Sequence, residues 1–168
     1  MQTMNDLFLH FLKDMYYAEQ QTLRTFPQMV SAVQSQALKQ AFEQQAQAAR
    51  NAVAQLEKVF AAVGQRPEGA TCEALLGMVK ETEELLKETG KAGPVQDAGL
   101  IAGIQAIQHY AIARYGSLLA WATEMGQQQA VTALKQVLDA SKQADAAFSR
   151  LATGGVNQAA TGQAAGQA

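Results

Sequence analysis

At 168 residues, 48% of them hydrophobic, and with a formal charge of −2 from 13 basic and 15 acidic side chains, the chain can bury one domain-sized core unaided. No Lys/Arg stripe is present to neutralise successive phosphates, which argues against nucleic acid as a partner, and the single cysteine, Cys72, excludes an intramolecular disulfide. No apolar run nears the roughly 20 residues of a membrane span, and residues 1–6 lack the basic start of a signal peptide, so no membrane partner is expected and the cytoplasm is the expected compartment.

In chain order, Thr3 followed by Asp6 reads as a capping pair opening a first helix over about residues 5–34. Phe8, Leu12, Met15, Phe26, Met29 and Val33 fall on steps of four and three, and Leu9, Tyr16, Leu23 and Val30 widen the face. Pro27 lies inside this pattern and predicts a bend rather than an end, because the period continues past it. A second helix over about 36–63 turns Leu38, Phe42, Ala46, Ala49, Val53, Leu56 and Phe60 inward, until Gly64 and Pro67 stop it. A third and shorter helix covers about 71–89 with Thr71 as its cap, and is closed between Gly90 and Pro94. The fourth, about 95–125, carries Ile101, Ile104, Gln108, Ala111, Tyr115, Leu118 and Ala122 on one column. Gly126 turns the chain into the fifth, about 127–152, with Ala130, Leu134, Val137, Ser141, Ala144, Phe148 and Leu151 inward. Residues 153–168 are Gly, Ala, Gln, Thr and Asn with one valine, so a mobile low-complexity tail is expected after a domain over 1–152.

Four long helices thus form two tight hairpins, joined by a crossover that carries the short helix. That connectivity predicts an all-α, ferritin-like four-helix bundle. Its apolar columns break near mid-helix: at Glu19, at Gln47 and Arg50 beside the second column, at Gln108, and at Ser141 with Asp145 one turn on. In an antiparallel bundle these breaks meet at one level, and a carboxylate there costs several kcal/mol unless paired or metal-bound.

The stretches Asp14-Met15-Tyr16-Tyr17-Ala18-Glu19-Gln20-Gln21, Cys72-Glu73-Ala74-Leu75-Leu76-Gly77-Met78-Val79 and Gln108-His109-Tyr110-Ala111-Ile112-Ala113-Arg114-Tyr115-Gly116 resemble the bacterial YciF/YciE-type ferritin-like family, over about residues 6–152. The resemblance implies association with stress, a homodimer, no settled biochemical activity and, in di-iron members, carboxylates and a histidine where the four helices meet. Carried over by position, Glu19 keeps the first-helix carboxylate. Gln47 and Arg50 stand where the family has Glu-x-x-His, and Gln108-His109-Tyr110-Ala111 where it has Glu-His-Tyr-Glu. Asp139-Ala140-Ser141-Lys142 replaces Glu-Glu-Glu-Lys, and Leu76 occupies a further acidic position.

Glu19 and Asp145 are therefore the candidate metal ligands, and Gln47, Arg50, Gln108 and Ser141 the remainder of a vestigial polar layer. Two cations need about four acids and two imidazoles. The Arg50 guanidinium is expected to pair with Glu19, and with Asp145, in place of metal. No catalytic constellation is visible and no cofactor is expected. The predicted function is a non-enzymatic structural or interaction role. The alternatives are a residual iron or manganese centre serving as an oxidase or in peroxide protection, and a small ligand bound in the bundle core.

Overall fold

The computed structural model describes residues 1–162, and these are helical almost throughout. Helix α1 (Met4–Ala32) starts from a reciprocal capping box, in which Asp6 N donates to Thr3 Oγ1 and the Asp6 carboxylate accepts from Thr3 N. It runs through Pro27, which lies on the exposed face. Ser35 caps α2 (Gln36–Ala62), and Gly64, at φ 69°, ends it in a left-handed turn suited to glycine. Helix α3 (Glu73–Thr89) is capped by the Cys72 sulfur, which accepts from Leu75 N at 3.4 Å, rather than by Thr71 as the sequence suggests. Pro94 opens α4 (Pro94–Glu124), where its missing N–H costs nothing, and α5 spans Gln128–Leu151. No helix among the described residues is long and apolar enough to cross a membrane.

Helix α1 packs on α2 and α4, and α5 packs on the same two, so the four form a ring with α3 outside against α4. Helices α1 and α4 are antiparallel. Asp97 meets Gln34 and Ser35 at one end, and Phe11 meets Trp121 at the other, with ring centroids 5.4 Å apart. Helix α2 therefore points the same way as α4, and the chain returns the length of the bundle through α3 before α4 begins. This is the single long crossover that the hairpin pattern requires. The core runs along the ring's axis, with Phe26 edge-on to Phe42 at 5.9 Å and Phe42 against Phe148 at 5.3 Å.

The crossover is pinned at both ends. Ala70 N donates to Lys13 O at 3.1 Å and Lys13 pairs with Glu68, tying the loop to α1. Along α3, Gly99 and Gly103 of α4 let the two helices approach closely: a Cβ on Gly103 would fall 2.6 Å from Thr82 Oγ1 and 3.2 Å from Thr82 Cγ2. Thr82 is held by its bond to Met78 O at 2.9 Å and cannot swing away. Gly103→Ala is expected to cost about 1–3 kcal/mol through overpacking. Exposed Gly77 meets nothing within 4 Å, and Gly77→Ala should gain roughly 0.5–1 kcal/mol. Urea unfolding of the two variants measures both.

The chain does not leave the bundle at Thr153. Residues Ala152–Val156 form a π-turn that accommodates Gly155 at φ 146°, and α6 (Asn157–Ala160) follows, packing back on α4. Val156 and Leu151 cover the end of the core, which the tail's sparse apolar content does not suggest. The rest of that stretch, 163–168, lies outside the described residues.

Candidate functional site

At mid-bundle, Glu19 projects from α1 into the ring and is only 8% exposed. Its one hydrogen-bond partner among the described residues is Tyr115 of α4, whose hydroxyl donates to Oε1 at 2.6 Å. Among the described residues no cation is paired with it. Burial therefore pushes the Glu19 carboxyl up to about 7 from its ordinary 4.5, and the Tyr115 hydrogen bond draws it only partly back. Tyr115 is raised well above 10 by its own burial and by the Glu19 charge.

Neutral polar side chains are buried near Glu19, Gln45 of α2 and Ser141 of α5, and Gln108 of α4 is buried two turns before Tyr115 on its own helix. The carbonyl oxygens of both glutamines lack a hydrogen-bond partner among the described residues. Beside them α2 and α5 leave a cleft of about 300 Å³, lined by Glu19, Gln45, Ser141, Ala49, Ala52 and Val137.

The remaining residues expected in this layer lie elsewhere. Gln47 is exposed and bonds Asn51 at 3.2 Å along its own helix. Arg50 is also exposed, beside Glu43 and Pro27 on the outer side of α1 and α2. The ion pair expected between Arg50 and Glu19 does not form. The buried column of α2 reads Leu38, Phe42, Gln45, Ala49, Ala52, Leu56, Val59, in steps of four and three, and this turns Arg50 outward, one position past Ala49. Ala46 and Val53 flank that column half-buried. Asp145 lies on a different face, where its Oδ1 accepts from Gln105 Nε2 at 3.2 Å and sits 3.3 Å from His109 Nε2. The His109 side chain is 68% exposed.

Tyr115 and Gln45 are the members of the layer that sequence reasoning missed. Tyr115 reads as one more apolar position on its column, yet a tyrosine hydroxyl buried at mid-helix must find an acceptor, and Glu19 is the acid on the facing column. Gln45 becomes legible once the strict four-three stagger from Leu38 and Phe42 is followed.

A second, half-buried polar cluster lies nearer one end. The Tyr110 hydroxyl donates to Asp14 Oδ2 at 2.6 Å and lies 3.1 Å from Cys72 Sγ, while the Arg114 guanidinium stacks on Phe11 at 4.2 Å. Burial raises both Cys72 and Tyr110, so the thiol caps α3 as a neutral group.

A di-metal carboxylate centre does not fit the Glu19 layer. Glu19 is the one carboxylate of the set, its polar company being Tyr115, Gln45 and Ser141, and no three His, Cys, Asp or Glu side chains cluster among the described residues. Removing the tyrosine hydroxyl isolates the carboxylate: Tyr115→Phe should cost roughly 1.5–3 kcal/mol, more at high pH than at low, because the bond is strongest to the ionised acid. Thermal unfolding across pH measures the difference.

An all-helical crossover bundle with a buried carboxyl–phenol pair at its centre is the class that this geometry defines. The chain belongs to the family described as Domain of unknown function (DUF892), whose model matches residues 3–161. Among its relatives is Protein YciF of Escherichia coli (strain K12), 32% identical over 165 residues, 98% of this chain and 99% of YciF. The crystal structure of that stress protein superposes with a TM-score of 0.89 over 94% of this chain and 99% of its own. YcfI from Rhodopseudomonas palustris, described as a candidate structural protein, superposes with a TM-score of 0.85 at 38% identity, covering 88% of this chain and 94% of its own.

Proposed function

We propose that the protein is a non-enzymatic, stress-associated bundle of ferritin-like ancestry, in which a carboxyl–phenol pair packs where relatives of the wider fold hold metal. The observation that carries this reading is Glu19, a buried carboxyl whose partner is Tyr115 and which shares its cleft with Gln45 and Ser141. The stress association extends what is said of YciF, and the structural role extends what is said of YcfI. A homodimer in the cytoplasm completes the proposal. It follows from the family resemblance and the sequence.

Elemental analysis of protein purified without chelators tests it. This reading expects iron and manganese well below one atom per chain, and unchanged unfolding in a chelator. Near two metal atoms per chain, with rapid ferrous oxidation lost in Glu19→Ala, would establish the residual-centre alternative instead. A second reading, a small ligand bound in the bundle core, is favoured by one specific observation: the cleft between α2 and α5 opens onto Glu19 and Gln45.

A further inference from the structure

The α2–α5 cleft is made by small side chains. Ala48, Ala49 and Ala52 on α2 and Ala140 on α5 leave about 300 Å³ unfilled, at the lower end of the range for small-molecule sites. Exposed Asn51 and Gln136 stand at its mouth, and Glu19 and Gln45, each more than nine-tenths buried, lie at its inner end.

The charge balance of this cleft is one-sided. Its lining carries a carboxyl and no positive side chain. Glu19 Oε1 is occupied by Tyr115, which leaves Oε2 without a hydrogen-bond partner among the described residues, while the Gln45 carbonyl oxygen is itself closed off from the cleft's open space. An ionised carboxylate is an acceptor, so the group that answers it must be a donor, and a cation serves best. An ammonium supplies three donors on a compact head. A guanidinium prefers a carboxylate with both oxygens free, and one oxygen of Glu19 is already taken. A divalent cation asks for more anionic oxygens than one carboxylate provides. Around the head, the alanine walls suit a short alkyl stem.

We propose that the α2–α5 cleft binds a small primary alkylammonium, its head against the Glu19 carboxylate and its stem against Ala48, Ala49 and Ala52. The inference rests on the small-ligand reading of the core and names the ligand class for it.

The test is alanine-methyl NMR of the full chain at about pH 8, where Glu19 is mostly ionised, titrated with n-butylammonium chloride. Parallel titrations use 1-butanol and potassium chloride. The expected result is saturable shifts at the Ala48, Ala49, Ala52 and Ala140 methyls with n-butylammonium. They should be absent with potassium chloride and at least about tenfold weaker with 1-butanol, the ratio that one charge-assisted hydrogen bond supplies. Glu19→Gln should weaken binding by about tenfold or more. Ala48→Leu, which fills the cleft and leaves the carboxyl in place, should abolish the shifts. Equal saturable shifts with 1-butanol, or unchanged affinity in Glu19→Gln, would overturn the ammonium assignment while leaving a core ligand site standing. No saturable shift with either compound, or shifts only at other methyls, would overturn both.

Discussion

Glu19→Gln is expected to stabilise the protein at about pH 8 by about 3 kcal/mol, and to change its stability little at about pH 4. Below the ordinary 4.5 the carboxyl is protonated whether the chain is folded or not, and the charge costs nothing. As pH rises from 4.5 to about 7, the unfolded chain releases its proton while the folded chain keeps it, so stability falls through that window. Above about 7 the folded protein carries the full cost of a buried anion with one hydroxyl for company. Glutamine removes the charge and keeps a carbonyl oxygen for Tyr115. Urea unfolding of wild type and variant at several pH values gives the difference directly. A variant less stable than wild type at about pH 8 would mean that Glu19 holds a cation there.

Asp97→Ala is expected to be the most damaging single truncation outside the hydrophobic core, at about 3–5 kcal/mol. Asp97 is 3% exposed at the first turn of α4, and its two oxygens accept from Gln34 N at 2.9 Å and Ser35 N at 2.8 Å. Those amides lie in the turn between α1 and α2, so one side chain closes the first hairpin and fixes where α4 docks against it. Truncation removes the acceptor from two N–H groups at once, that of half-buried Ser35 and that of exposed Gln34, and a bond to a charged acceptor is worth about 1.5–3 kcal/mol. The loss should appear in the urea midpoint with the slope unchanged. Asp97→Asn, which keeps one acceptor, should recover part of it.

The helices were legible in the sequence because each long one carries a sustained four-three column bounded by recognisable caps: Thr3 with Asp6, Gly64, Pro94 and Gly126. Connectivity followed from loop lengths. Rotation about the helix axis was less well determined. On α2, Ala occupies both inward and outward positions, so hydrophobicity alone does not separate Ala49 from Ala46, and it points to Gln47 and Arg50 as the polar members of the layer instead of Gln45. An error of two positions carries a side chain roughly 160° of the way round a helix turning at 3.6 residues per turn, which is the difference between core and solvent. The Asp145 partnership with Gln105 and His109 depends on how α4 meets α5, information held in no single helix. The π-turn at Ala152–Val156 depends on packing against α4 and has no local hydrophobic signature.

The ionisation of the buried Glu19 carboxyl is read directly by ¹³C NMR titration of its side-chain carbonyl. The predicted result is a single transition centred at about 7, in protein with no added metal. A midpoint at or below 4.5, or a resonance lost to broadening when stoichiometric manganese(II) is added, would contradict it and return Glu19 to service as a ligand.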